Sequence, residues 1–298
     1  MNTIMKNLAV IGIGKWGKNL IRELDKFANV KICSSNGNKK NINWIKTHYP
    51  KIRHVKNTEQ IFLDKEIDAI IISTPINTHY NLVKKSLLSK KHVFVEKPIA
   101  CTMIQTNELI KIAKQNKCIL FVGHIFLHNE IFKKLIQIKK NENIQNITFQ
   151  WNKFGTFDED IFLNLLSHDL SILLSLFKTP TKIQLHDNVS FLSKSDLINL
   201  SFHFRKIHAT VMINRFSNYK KKIIIIKTNR NSYIWDDNQL FKQNKKSNEP
   251  KLLYKSKLSP LENECKNFIK SLSTPEITYE SANLGKDVIQ VIKKIKRK

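Results

Sequence analysis

Residues 9–24 read AVIGIGKWGKNLIREL, and this stretch decides the fold. The apolar run over 8–13 has the character of a buried strand, and over 19–27 Leu20, Ile21, Leu24 and Phe27 fall on one face of a helix. Between them Gly12, Gly14 and Gly17 spell G-x-G-x-x-G. With a strand before and a helix after, the three glycines have separate jobs. One permits a tight turn, one lets a pyrophosphate approach the backbone, and one lets the helix pack on the strand so that its first amides face the phosphate. Lys15 and Trp16, inside the motif, join them as dinucleotide-binding candidates. The chain holds only seven glycines in 298 residues, so a chance match anywhere along it has odds of about 0.4%.

Outward from this motif the first third keeps the same rhythm. Short apolar runs at 30–33, 69–73, 92–95 and 119–122 alternate with helical stretches at 81–89 and 102–115, as in a doubly wound parallel sheet. Beyond 124 the period changes. The segments 144–154, 182–190, 196–205, 208–216 and 222–228 are β-branched and closely spaced, as in an antiparallel sheet. A helical stretch at 160–177 interrupts them, an amphipathic helix at 281–295 closes the chain, and 243–251 reads as a polar loop. The expected architecture is α/β: a Rossmann domain over 1–123, then an α+β domain over 124–298 with a largely antiparallel open sheet for substrate binding and self-association.

The composition excludes several functional classes. A 41% hydrophobic fraction is that of a globular protein, and no apolar run is long enough to span a bilayer. The short apolar stretch near the N-terminus lacks a secretory pattern, so a cytoplasmic location is expected. Cys33, Cys101, Cys118 and Cys265 are scattered, which argues against a disulfide framework or zinc site. The net charge of +27 suggests nucleic acid. Yet only 6 of the 51 basic residues are arginine, and with 41 Ile, 31 Asn and 7 Ala the profile is that of AT-rich coding. Nucleic-acid readers favour the planar fork of arginine, so no specific nucleic-acid partner is expected.

Further candidates lie where strands end. The second strand runs into CSSNGNKK at 33–40. Ser34 and its neighbours offer neutral hydrogen bonds to a ribose, and Lys39 and Lys40 can meet a ribose phosphate, so the cofactor is NADP or NAD with a lean to NADP. Residues 71–100, IISTPINTHYNLVKKSLLSKKHVFVEKPIA, end two strands in Thr74-Pro75 and Glu96-Lys97-Pro98, at the carboxyl edge where open α/β sheets bind ligands.

In order and at the expected intervals, the glycine fingerprint, T-P-x-N-x-x-H, H-V-x-x-E-K-P and Val122-Gly123-His124 resemble the Gfo/Idh/MocA family of NAD(P)-dependent sugar oxidoreductases. Asn129 in GHIFLHNEIF stands where the family has the asparagine of G-H-x-x-x-x-N-P, with Glu130 in place of the proline. SHDLSILLSLF at 167–177 resembles the family's histidine-bearing helix, and 259–272 with 281–292 resembles its closing segment.

The resemblance implies hydride transfer between a nicotinamide and a carbon bearing a hydroxyl or carbonyl on a sugar or nucleotide sugar. The form of the fingerprint looks most like members associated with surface-polysaccharide pathways. Lys97 matches the E-K-P lysine that stabilises charge on the reacting oxygen. His168 matches the proton-transferring histidine, whose ordinary pKa of about 6.5 suits that work. Asn164, four residues earlier and on the same face of an α-helix, stands where the family commonly has aspartate. A neutral amide orients a ring but does not stabilise an imidazolium as a carboxylate does, so the alternative is a catalytically degenerate cofactor-binding or regulatory protein. Thr74, Pro75, Asn77, His79 and Glu96 are expected along the nicotinamide side, and His124 and Asn129 toward substrate. His124, His128 and His168 lack the H-E-x-x-H pattern, so no metal is expected. An exposed antiparallel sheet face points to a homo-oligomer, dimer or tetramer.

Overall fold

The computed structural model describes residues 5–274 and 276–297. The N-terminal elements are β1 (Asn7–Ile11), α1 (Lys15–Leu24), β2 (Asn29–Ser34), α2 (Lys39–His48), β3 (Arg53–Val55), α3 (Glu59–Leu63), β4 (Ala69–Ile72), α4 (Ile76–Leu88), β5 (His92–Glu96), α5 (Met103–Gln115) and β6 (Leu120–Gly123). The six strands are parallel in the order β3-β2-β1-β4-β5-β6, the doubly wound arrangement of a Rossmann sheet. Five were legible as apolar runs; β3 is three residues long and too short to show one. Because both faces are covered, the central strands are apolar throughout, and β4 is Ala-Ile-Ile-Ile with every residue fully buried. One face buries Val83 and Leu87 of α4 and Leu109 and Ala113 of α5, and the other buries Leu20, Ile21 and Leu24 of α1.

The later elements are α6 (Glu130–Asn141), β7 (Ile144–Phe154), α7 (Ser167–Phe177), β8 (Lys182–Val189), β9 (Leu197–Phe204), β10 (Ile207–Asn214), β11 (Phe216–Thr228), β12 (Asn231–Asp236), β13 (Gln239–Asn244), β14 (Lys251–Lys255), α8 (Pro260–Ser271) and α9 (Glu280–Lys296). Two compact units result. One takes the chain up to His124 together with Leu261–Lys286; the other takes Ile125–Pro260 and the residues from Asp287 on. The sequence reading divided the chain once, at 123/124, and so assigned 261–286 to the second domain. Within the first unit, Phe268 of α8 meets Phe94 and Phe121 edge-on, 5.4 and 5.5 Å between ring centroids.

The second unit is built on an eight-stranded sheet in the order β14-β13-β12-β11-β7-β10-β9-β8, antiparallel except where β10 runs parallel to β7. Alternation along the strands sets one row of fully buried residues across its middle, Leu200, Val211, Phe149 and Ile224, each opposite the next. The polar loop expected over 243–251 is shorter, since β13 runs through Asn244 and β14 starts at Lys251. Both strands are short, and β14, at the sheet edge, is also held from a distance. The Glu130 carboxylate accepts from Tyr254 Oη, Ser256 Oγ and the Lys257 amide, at 3.0, 3.0 and 2.8 Å. Among the described residues no helix is long and apolar enough to cross a membrane.

The turn between β8 and β9 closes on a charge. Asp196 is wholly buried and accepts the amides of Phe191, Leu192 and Ser193 at 2.7–2.9 Å. Arg215, also buried, reaches Asp196 Oδ1 at 3.3 Å and binds the carbonyls of Thr156, Glu159 and Ser195. Burial alone would raise the Asp196 pKa, but the Ser193 hydroxyl and those amides outweigh it and hold it down at about 2. The folded value lies below the ordinary 3.8. The stabilisation is therefore full above that pH and lost as the pH falls through about 2. Urea titrations of Asp196→Asn should show a loss of roughly 3–5 kcal/mol at neutral pH, because Arg215 is left buried without its counter-charge. The gap to the unmodified protein should narrow below that acid range.

Candidate functional site

The first unit divides the labour of its glycines more sharply than the motif alone implied. Gly12 has φ +99°, and a Cβ there would meet the Ser73 carbonyl oxygen at 2.7 Å and Thr74 Cγ2 at 2.8 Å. Its amide donates to the Ser34 carbonyl at 2.9 Å and its carbonyl accepts from Ser73 Oγ at 2.7 Å. Gly12 therefore serves the turn and the packing against the β4 end. A Cβ on Gly17 would fall onto the Gly12 carbonyl oxygen, which makes Gly17 the residue that seats α1 on β1. At Gly14 a Cβ would meet nothing within 4 Å. Gly14 is the N-cap of α1, with no side-chain cap and no acidic residue in the first turn, so the helix presents bare amides to open space. That is a cradle for a pyrophosphate, and the residues present fit one.

Around this cradle Ser34 ends β2 and is buried, while Lys39, exposed, opens α2 behind the Asn38 cap. His79 is buried and ties two loops together, with Nδ1 2.8 Å from the Pro98 carbonyl and Nε2 2.9 Å from the Thr74 carbonyl. Burial and the nearby Lys97 lower its pKa against those two carbonyls, so the neutral ring donates to one of them at a time. Pro75 and Asn77 are exposed at the start of α4, Lys97 is half-buried after β5, and the Lys97–Pro98 peptide is cis. His124 is buried after β6.

Trp16 reaches out of the fingerprint to the E-K-P turn, its indole N–H donating to Glu96 Oε1. Burial pushes the Glu96 carboxyl up to about 7, against the pull of that indole and of Lys97. Glu264 on α8, fully buried, is pushed well above the carboxylate range by burial and then by Glu96. Motif reading placed Glu96 beside the cofactor but missed Glu264. An acidic residue among the apolar positions of an amphipathic helix was the available signal.

In the second unit Asn129 is buried as the N-cap of α6, its Oδ1 accepting the Ile131 amide at 2.9 Å. That commits one end of the amide expected to face substrate. His168 is the second residue of α7, and Asn164 lies in a π-helical turn, Phe162–Leu166, directly before it. The wider π turn alters the four-residue spacing of a regular α-helix, and such turns recur at functional sites. The His168 ring meets Phe126 edge-on at 5.2 Å and Trp151 at 5.6 Å between centroids. Asp169, the adjacent carboxylate, is fully buried and forms an ion pair with Lys222. Lys97 thus lies in the first unit, and Asn164 and His168 in the second. Among the described residues no group of three His, Cys, Asp or Glu side chains gathers as metal ligands would.

Residues 6–124 match the model of the oxidoreductase family with an NAD-binding Rossmann fold named GFO_IDH_MocA. Residues 6–124 are therefore a Gfo/Idh/MocA NAD-binding domain. Among its curated relatives, an uncharacterised oxidoreductase of Escherichia coli, YdgJ, is 28% identical over 153 residues, 47% of this chain and 44% of the relative. A myo-inositol 2-dehydrogenase of Thermotoga maritima is 33% identical over 89 residues, 30% of this chain and 27% of the relative. The matches thus span less than half the length of these relatives. A solved structure of the UDP-N-acetylglucosamine 3-dehydrogenase GnnA from Acidithiobacillus ferrooxidans superposes with a TM-score of 0.89 at 18% identity, covering 98% of this chain and 97% of that one, and shows that the two-unit fold is shared. Lys97 stands in the E-K-P within the matched residues, and Glu130, beyond them, holds β14 with its carboxylate.

Two measurements follow from this geometry. Gly14→Val should fold normally and lose dinucleotide binding in calorimetry, because its side chain enters only the open cradle. Gly12→Val should instead lower thermal stability, since its side chain strikes the Ser73 backbone. Separately, protonated Glu96 stabilises the fold, a contribution full below pH 4.5 and lost as the pH rises through about 7. Emission from Trp16, taken as the difference from Trp16→Phe, should change with a midpoint near pH 7 and stay flat in Glu96→Gln.

Proposed function

We propose that this chain transfers hydride between a nicotinamide dinucleotide and a carbon of a sugar or nucleotide sugar that carries a hydroxyl or carbonyl. The observation that carries the reading is the open glycine cradle at the start of α1, in one unit with a lysine, Lys97, at the carboxyl end of β5. Gly12, Gly14, Lys15, Trp16 and Gly17 would hold the pyrophosphate, Ser34 and Lys39 the adenosine ribose, and Thr74, Pro75, Asn77, His79 and Glu96 the nicotinamide side. Bound there, the dinucleotide supplies the hydride acceptor or donor. Exposed Lys39 with Lys40 beside it favours NADP over NAD.

The remaining work belongs to side chains. Lys97 donates a hydrogen bond to the reacting oxygen and stabilises the negative charge that develops there. His168 accepts the hydroxyl proton in the oxidising direction and returns it in the reducing one. Asn164 orients without adding charge, and His124 and Asn129 contact substrate, Asn129 through its Nδ2 because Oδ1 is a cap. The names of a myo-inositol 2-dehydrogenase and a UDP-N-acetylglucosamine 3-dehydrogenase among the similar proteins support a substrate with ring hydroxyls.

The test is spectrophotometric, following reduced nicotinamide with free sugars, inositols and UDP-sugars. Oxidation should speed up with pH as His168 becomes neutral. His168→Asn and Lys97→Met should each lower turnover by roughly a hundredfold while leaving dinucleotide affinity unchanged. Replacing Lys39 and Lys40 with alanine should weaken NADP more than NAD. A protein that binds the dinucleotide, turns over no such substrate and stays inert as Asn164→Asp is a binding or regulatory protein instead.

A further inference from the structure

The second unit sets a lysine where a core residue belongs. Along β11 the side chains of Ile224 and Ile226 point into the core, and Lys222, two residues earlier, has the same direction. It stands opposite Trp151 of β7, one step beyond the buried row of Phe149 and Ile224. An ammonium on that face needs an anion, and Asp169 of α7 supplies it from a fully buried position. Burial pushes the Asp169 carboxyl up and the Lys222 ammonium down, and their mutual attraction opposes both shifts.

Two aromatic faces complete the surroundings. Lys222 Nζ lies 3.9 Å from the Trp151 ring centroid and 4.3 Å from that of Phe126, both in cation–π range. These are the same two rings that pack against the His168 imidazole. Other charged and titratable groups on the neighbouring elements have surroundings of their own. His128, in the turn that carries Phe126, is held down at about 4 by burial and Lys133. Lys153 of β7 donates to Thr156 Oγ1, and Asp236 of β12 pairs with Lys221.

We infer that Lys222 is a positioning residue for His168: clamped by Asp169, its ammonium fixes the Phe126 and Trp151 rings that wall the imidazole and places a cation next to them. The inference rests on the reading of His168 as the proton-transferring group. A nearby cation favours the neutral imidazole, the form that accepts a proton. It also explains how the side chain adjacent to His168 can be a carboxylate without serving it: the charge of Asp169 is spent on Lys222.

The test reads His168 itself, by NMR titration of its ring Cε1–H in the full-length protein, assigned by its absence in His168→Asn. Lys222→Met should raise the midpoint, with about a tenfold gain in proton affinity, and weaken the cross-relaxation between His168 and the Trp151 and Phe126 rings. Lys222→Arg, which keeps a cation, should hold the midpoint near that of the unmodified protein. Lys222→Met leaves Asp169 buried alone, so the Lys222→Met/Asp169→Asn double variant carries the test if the single one does not fold; there a smaller upward shift is expected, because the anion goes with the cation, together with the same weakening of the ring contacts. An unmoved midpoint with unchanged ring contacts, in whichever of these variants folds, overturns the proposal. Because no substrate is used, failure here is separate from failure of the hydride-transfer reading, which shows instead as full turnover in His168→Asn.

Discussion

Gly17 has no room for a Cβ against the Gly12 carbonyl, and much of the first unit follows from that contact. The approach seats α1 directly on β1 and brings its apolar stripe, Leu20, Ile21 and Leu24, into the core. It also fixes where the helix begins, and so where its unsatisfied amides point. Gly12 makes the turn in a backbone region that side chains resist, and Gly14 leaves the front of the helix open. A protein with seven glycines has placed three of them here, which is as much a statement about geometry as about ancestry.

What was legible in the sequence was whatever a strong local pattern carries. Parallel strands buried on both faces read as plain apolar runs, and β7 is bounded in the structure as its alternation suggested, Ile144–Phe154. The E-K-P turn and the fingerprint were visible for the same reason: several unusual residues at fixed spacing. Short or polar elements escaped. β3 is three residues long, and β13 and β14 hold through ladder bonds and the distant Glu130 carboxylate, which no local window contains.

Within the site, identity was easier to read than direction. Asn164 and His168 were found through the resemblance to the family's histidine-bearing helix, but the π turn that holds Asn164 and precedes His168 follows from backbone bonding that residue types do not announce. Lys222 sat in a lysine-rich run, KKKIIII, where one lysine looks like another until strand alternation is applied from Ile224 backwards. Composition added its own camouflage. In a chain with 45 lysines, Lys222 is told apart only by its register and by the carboxylate that waits for it.

The pairing of β11 with β7 is interrupted: Phe216 faces Phe154 and Lys221 faces Asn152, so that 217–220 are set against a single residue of the partner strand. Such an excursion acts as a reservoir of chain length. Residues lost or gained within it during evolution are absorbed by a tighter or wider bulge, and the ladder from Lys221 onward keeps its register. From Lys222 to Lys227 the ladder is regular and a length change has no such buffer, since shifting the strand by one residue turns Lys221 or Ile223 inward and leaves Asp169 without its cation. A one-residue insertion or deletion before position 221 should therefore cost this fold less than one between 222 and 227, a bias set by sheet parity and not by chemistry.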